Sequence, residues 1–120
     1  MTTEDLVNFV LANRRGKAFA GYSKAQLYYE FWSCFQTNPP TLLFSTDAQG
    51  KVDGVATGQL NGSEMYVRHI LTTRKGVMLA LFKKFTELWP STSLAGLRHG
   101  RRKAKINPAR FAQHAVLLKG

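Results

Sequence analysis

Apolar residues recur every three to four positions in the N-terminal third of the chain, which predicts two amphipathic helices. Thr2 and Asp5 form a capping pair at the start of the first helix. Arg14, Arg15 and Gly16 stand where this helix should end. Its apolar face consists of Leu6, Val7, Val10 and Leu11. We expect this face to pack on the core.

The second predicted helix is rich in aromatic residues. Ser23 and Gln26 can form a capping box at its start, and Pro39-Pro40 ends it. Helical spacing predicts one core-facing stripe: Leu27, Tyr28, Phe31, Trp32 and Phe35. Tyr29 falls outside this stripe, so we expect its ring to be exposed and available for a molecular contact.

A strand meander is predicted after Pro40. The predicted strands are Thr41–Thr46, Lys51–Leu60 and Ser63–Thr72. Asn61-Gly62 indicates a tight hairpin between the second and third of them. Gly54 and Gly58 lie inside the second strand, which predicts a bend or a close backbone approach there.

A third helix is predicted from Gly76 to Trp89, and Pro90 terminates it. Its apolar stripe consists of Met78, Leu81, Phe82, Phe85, Leu88 and Trp89. The short apolar segment Ser93–Leu97 suits a buried strand that lies parallel to the third strand. The order of elements therefore predicts an α/β fold with a mixed sheet of about five or six strands flanked by helices.

The C-terminal part combines a basic segment with two short predicted elements. Arg98–Lys105 is predicted to be a loop, Asn107-Pro108 can start a short helix, and Ala115–Leu118 is a candidate final strand. The sequence contains no repeat, linker or low-complexity segment. Residues 1–120 are therefore predicted to form one domain.

The net charge of +10 points to an anionic partner. No acidic residue follows Glu87, although this stretch contains many cations. The densest group of cations is Arg98, Arg101, Arg102, Lys103 and Lys105. Such a group favours salt-sensitive, sequence-independent contact with nucleic acid or another polyanion. The alternative is a solubilising surface segment.

Other features narrow the function class. The single cysteine, Cys34, lies in an aromatic helix and is expected to be a small buried residue. His69, His99 and His114 share no metal-like spacing, so no metal site is predicted. No apolar stretch reaches membrane-spanning length, and no signal-type segment follows the acidic N-terminus. We expect an intracellular protein, or one inside a virus particle, without a membrane contact.

One turn carries the clearest chemical signal. Arg74, Lys75 and Gly76 connect a predicted strand to the N-terminus of a predicted helix. Free N–H groups, the helix dipole and nearby cations favour an anion at such a place, and a phosphorylated cofactor is the natural candidate. The alternative is a solvated basic turn.

Three segments resemble the GNAT (Gcn5-related N-acetyltransferase) family. Residues 49–56, Gln-Gly-Lys-Val-Asp-Gly-Val-Ala, are similar to its second hairpin. Residues 70–78, Ile-Leu-Thr-Thr-Arg-Lys-Gly-Val-Met, are similar to its fourth strand and pyrophosphate loop, with Gly76 at the central glycine. Residues 107–111, Asn-Pro-Ala-Arg-Phe, resemble its cofactor-side helix. The order of elements matches the GNAT fold without its first strand.

The resemblance implies an acetyl-CoA site. It would place the backbone of Ile70 and Leu71 along the pantetheine arm, Arg74, Lys75 and Gly76 at the pyrophosphate, and Asn107 at the cofactor-side helix. His69 is the best-placed titratable group for a general base, because its intrinsic pKa suits proton transfer near neutral pH.

The chain also departs from the GNAT pattern. Thr73 and Met78 occupy the first and last loop positions, where the family usually has Gln or Arg and a small residue. Phe111 stands where members often have a tyrosine acid, and a phenyl ring has no proton to donate.

Two functions follow as expectations. The first is a non-catalytic, basic GNAT-like component of an assembly, which resembles small phage-encoded GNAT-like proteins, internal virion proteins among them. It would bind nucleic acid and protein partners. The alternative is a small N-acetyltransferase that transfers the acetyl group of acetyl-CoA to an amine.

Overall fold

The computed structural model describes residues 2–16, 18–98 and 102–106, which form an α/β fold. Its helices are α1 (Thr3–Asn13), α2 (Lys24–Phe35) and α3 (Val77–Leu88). Its strands are β1 (Leu42–Thr46), β2 (Val52–Asn61), β3 (Glu64–Thr72), β4 (Ser93–Arg98) and β5 (Arg102–Ile106). The predicted α/β class, with helices flanking a mixed sheet, is confirmed.

The sheet is mixed because one of its pairings is parallel. The strand order is β1-β2-β3-β4-β5. β1, β2 and β3 form the predicted antiparallel meander, and β4 pairs with β5 in the same antiparallel way. β3 and β4 run parallel, as predicted for Ser93–Leu97, and α3 is the crossover between them.

Helices cover both faces of the sheet. One core cluster joins α1, α2 and the segment around Phe19 to residues of β1, β2 and β3: Leu42, Val55 and Leu71. The other cluster joins α3 to a second set on the sheet: Leu43, Ala56, Met65, Val67 and Leu94. Adjacent residues of β1 and β2 contribute to opposite clusters because side chains alternate across a strand.

The helix N-termini follow the sequence signals closely. Thr2 and Asp5 form a reciprocal capping box on α1, and Ser23 and Gln26 form one on α2. α3 has no side-chain cap. It begins after Gly76, which has a positive φ of 84° that L side chains adopt only with strain.

The two β2 glycines allow side chains of the α3 layer to approach the sheet. A Cβ at Gly54 would lie 2.5 Å from Val77 Cγ1. A Cβ at Gly58 would lie 2.8 Å from Met65 Sδ and 3.4 Å from Phe85 Cε1. The predicted close approach is therefore real, but the neighbours are side chains rather than backbone.

The predicted loop Arg98–Lys105 is wrong, because Arg98 ends β4 and Arg102–Ile106 forms β5. The register pairs Arg98 with Arg102 and Leu97 with Lys103. Lys103-Ala104-Lys105-Ile106 alternates polar and apolar residues, which is the pattern of a strand. The segment was predicted to be a loop because of its high charge density, although the alternation is present. The candidate helix at Asn107 and the candidate strand Ala115–Leu118 lie outside the described residues.

The predicted aromatic stripe of α2 is partly wrong. Phe31 is fully buried, but Trp32 is 57% exposed and Phe35 is 40% exposed. The buried face of α2 consists instead of Leu27, Glu30, Phe31 and Cys34. On α3, Met78 was expected in the core stripe but is 44% exposed, whereas Val77 and Leu79 are buried. Cys34 is buried, as predicted.

Candidate functional site

A bulge at Arg68, midway along β3, changes which face of the sheet the following side chains occupy. Thr57 of β2 pairs with His69, and the next residue, Gly58, pairs with Val67, so Arg68 is an extra residue. Before the bulge, Met65 and Val67 belong to the α3 cluster. After it, Leu71 belongs to the α1–α2 cluster. The extra residue therefore moves odd-numbered side chains to the other face of the sheet.

The pairing of β3 with β4 stops at the same point. Glu64–Val67 pairs with Ser93–Gly96, and the described part of β3 beyond Val67 has no partner on β4. The resemblance assigns Ile70 and Leu71 to a pantetheine contact. Both lie in the part of β3 that does not pair with β4. Their pairing on the other side, with Ala56 and Val55 of β2, is intact. Within the described ranges, this edge of Ile70 and Leu71 has no strand partner, and such an edge can pair with a ligand that carries amide groups.

The turn after β3 ends at the N-terminus of α3. Gly76 adopts its left-handed conformation there, and no side chain caps the helix. N–H groups in the first turn of a helix lack intrahelical acceptors. Lys75 is exposed beside them. Lys75 and Gly76 lie at this helix N-terminus, and the anion contact there stays a prediction.

Arg74 has a structural partner. Its Nε lies 2.8 Å from Oδ2 of Asp53, and its Nη2 bonds the same oxygen. Asp53 is 2% exposed, and its other oxygen has no hydrogen-bond partner. Arg74 therefore compensates a buried carboxylate, and only part of its charge is left for a ligand.

His69 is held at both ring nitrogens. The backbone N–H of Phe19 donates to Nδ1 at 3.2 Å, and Nε2 lies 3.1 Å from Oη of Tyr22. Because Nδ1 accepts, the proton of the neutral ring is on Nε2, which donates to Tyr22. The ring also stacks on Phe19 with centroids 4.6 Å apart. Burial lowers the pKa of His69 below its ordinary value, so the ring is neutral near pH 7.

This neutral histidine predicts a pH-dependent stability. An unfolded chain protonates His69 near pH 6.5, whereas the folded chain does so only at lower pH. The unfolded state therefore binds more protons in that interval, and the free energy of unfolding should fall as the pH drops below about 6.5. Urea unfolding at several pH values measures this fall, and His69→Gln should show a smaller one. Parallel curves for the two proteins would contradict the assignment.

A polar cluster that the sequence analysis missed surrounds the bulge. Arg68 Nη1 lies 3.2 Å from Oε1 of Glu30, and Arg68 Nη2 donates to Oη of Tyr22 at 3.3 Å. Glu30 is 5% exposed, and its Oε2 has no partner. A signal was present in the sequence, because Glu30 occupies the helical face of Leu27 and Cys34. A lone acid on an apolar face predicts a buried ion pair.

The basic candidates group around the β4–β5 hairpin. Arg98 and Arg102 are partners in the register, and Lys103 and Lys105 follow on β5. Arg101 and Asn107 lie outside the described residues. The backbone thus brings four of the five predicted polyanion contacts into two adjacent strands.

Comparison of the chain with protein-family models, curated proteins and solved structures finds no match. Within the described ranges, no group of three or more His, Cys, Asp or Glu side chains is placed to hold a metal ion. The described helices are also too short or too polar to cross a membrane.

Proposed function

We propose that this protein is a non-catalytic GNAT-like domain that serves as a basic, nucleic-acid-associated component of an assembly such as a virus particle. The observation that carries the proposal is the state of His69. Both of its nitrogens are engaged by Phe19 and Tyr22, and burial lowers its pKa. The predicted base therefore acts as a packing group between β3 and the segment that precedes α2.

The charge distribution supports an anionic partner. Glu30 and Asp53 are buried and each is paired with an arginine. The net charge of +10 already counts all seven acids, so ten positive charges have no acidic counterpart in the chain. Strands β4 and β5 contain four of the cations that follow Glu87 in the sequence: Arg98, Arg102, Lys103 and Lys105. A field of this kind attracts phosphate backbones irrespective of sequence.

Removing charge from the basic segment Arg98–Lys105 should weaken the dependence of nucleic-acid binding on salt. The variant replaces Arg101, Arg102 and Lys103 by glutamine. If each cation contacts one phosphate, the slope of log K against log salt should become less negative by about 2–3, because each contact contributes about 0.7–0.9. Anisotropy of a labelled oligonucleotide at several salt concentrations measures the slope.

A matched variant controls for net charge. Replacing Lys51, Lys83 and Lys84 by glutamine removes the same number of charges from the β1–β2 turn and α3. We expect this variant to keep a slope close to that of the unmodified protein. Equal slopes for both triple variants would place the phosphate contact elsewhere, and absence of binding at low salt would refute nucleic-acid association.

A second candidate function is favoured by the opening between β3 and β4. The strands stop pairing at the Arg68 bulge, and the N-terminus of α3 follows β3 through the turn at Gly76. An extended pantetheine chain has amide groups that could pair with the edge of β3 that lacks a strand partner among the described residues. This arrangement supports an acetyl-CoA-dependent N-acetyltransferase, in which an amine attacks the thioester and free CoA thiol is released.

The two candidates differ in a thiol-release assay. The non-catalytic domain should release no CoA thiol from acetyl-CoA above the buffer rate when a mixture of small amines and basic peptides is supplied. Amine-dependent release, with the acetylated amine identified by mass spectrometry, would favour the second candidate. His69→Gln then tests the base, since a catalytic His69 requires a large loss of rate in that variant.

A further inference from the structure

Two aromatic rings project from the outer face of α2. Tyr29 is 69% exposed and Trp32 is 57% exposed. Their ring centroids are 6.2 Å apart, with a tilt of 34° between the planes. Helical spacing puts both rings opposite the buried face of α2, so neither is needed to fill the core. We call these two residues the aromatic platform.

An open groove lies beside the platform, between α2 and β3. It has a volume of about 510 Å³, and Tyr22, Tyr29 and Arg68 line it. The groove can therefore accept a planar heterocycle next to the ring of Tyr29.

The groove is lined by one cation, Arg68, and one acid, Glu30, and two further cations belong to neighbouring residues. Arg14 Nη1 donates to the backbone oxygen of Tyr22 at 2.6 Å, and Arg68 Nη2 contacts its hydroxyl at 3.3 Å. Lys24 is exposed in the first turn of α2. The acid on α2, Glu30, is buried and paired with Arg68. Glu30 offsets the charge of Arg68, so Arg14 and Lys24 are the cations next to the groove that no exposed acid on α2 opposes.

We propose that the aromatic platform stacks bases of a single-stranded nucleic acid, with the phosphates near Arg14 and Lys24. The inference rests on the proposed nucleic-acid association and adds the form of the nucleic acid and a second contact surface, on α2, besides the basic residues of β4 and β5. Exposed aromatics beside a cationic groove are the general means of holding single strands without sequence readout. Duplex bases are already stacked on each other, so they are not accessible to these rings.

Charge argues against a second copy of the chain as the occupant. Each molecule carries a net charge of +10, so two copies would repel each other. A strand of phosphates reverses this effect and attracts the same surface. The chemistry of the platform and the sign of the field therefore favour the same ligand.

The test uses Tyr29→Ala and Trp32→Ala in the full chain. Each should raise the Kd for a labelled single-stranded oligonucleotide by about 5- to 150-fold, because stacking is worth roughly 1–3 kcal/mol per base. Thymidine and uridine oligomers identify DNA or RNA as the better ligand. The quenching of tryptophan fluorescence by either oligomer should fall sharply in Trp32→Ala, which retains Trp89.

Phe44→Ala is the matched control, because Phe44 is a 40% exposed aromatic on β1 rather than on α2. It should leave the Kd unchanged, and no variant should alter duplex binding. Unchanged single-strand binding in both platform variants, with a steep salt dependence, would overturn the platform but retain the proposed function. Failure of the unmodified protein to bind any nucleic acid would overturn both. Self-association that Trp32→Ala abolishes would identify a protein interface instead.

Discussion

Replacement of Phe85 by alanine should lower the free energy of unfolding by about 3–5 kcal/mol, the usual cost of deleting a buried phenyl ring. Phe85 is completely buried between α3 and the sheet. Its ring lies against Gly58, where an added Cβ would be 3.4 Å from Cε1 of Phe85 and 2.8 Å from Sδ of Met65. The cavity that the deleted ring would leave cannot close easily, because Gly58 and Met65 belong to the paired strands β2 and β3.

Met78→Ala provides a control on the same helix. Met78 is 44% exposed, so its truncation should cost less than about 1 kcal/mol. Denaturant unfolding of the two variants and the unmodified protein measures the difference. Similar losses of unfolding free energy at the two positions would mean that α3 does not pack on the sheet through Phe85, which would contradict the described packing.

Arg68→Ala should have the second-largest effect, a loss of about 3 kcal/mol, near the lower end of the range for breaking a buried ion pair. Glu30 is buried and one of its oxygens already lacks a partner. Without Arg68, its carboxylate would lose the cation that compensates it. The lower end of the range applies because the Arg68 side chain is itself 37% exposed.

The double variant Glu30→Gln with Arg68→Ala separates charge from packing. A neutral amide is less costly to bury than an unpaired carboxylate, so the double variant should recover more than half of the loss. Denaturant unfolding of the two single variants and the double variant completes the cycle. Strictly additive losses would show that the two side chains do not stabilise each other.

Local signals predicted α1, α2 and α3 and the strands β1 to β4. The Thr2 and Ser23 capping boxes, the hairpin after β2 and the short apolar segment of β4 each depend on a few neighbouring residues. Features that depend on tertiary contacts could not be predicted from local patterns. The outer position of Trp32 depends on how α2 packs against the sheet. β5 was missed because its cations were interpreted as a solvated loop.

The candidate site could be predicted only in part, for a related reason. The turn at Gly76 follows from glycine chemistry and strand–helix order. The bulge at Arg68, the end of β3–β4 pairing and the hydrogen bonds of His69 depend on register. Register is set by contacts between distant segments, and no local pattern around residue 68 encodes it. The partner of Arg74, Asp53, lies 21 positions away in sequence and could not be inferred from spacing.

A sequential calorimetric titration of the intact protein, first with acetyl-CoA to millimolar concentration and then with a short single-stranded oligonucleotide, tests the central claim most directly. We expect no saturable heat from acetyl-CoA. The oligonucleotide should bind with a Kd of about 10⁻⁴–10⁻⁶ M or tighter at moderate salt. Micromolar binding of acetyl-CoA together with no response to the oligonucleotide would contradict the non-catalytic, nucleic-acid-associated function and would support the acetyltransferase.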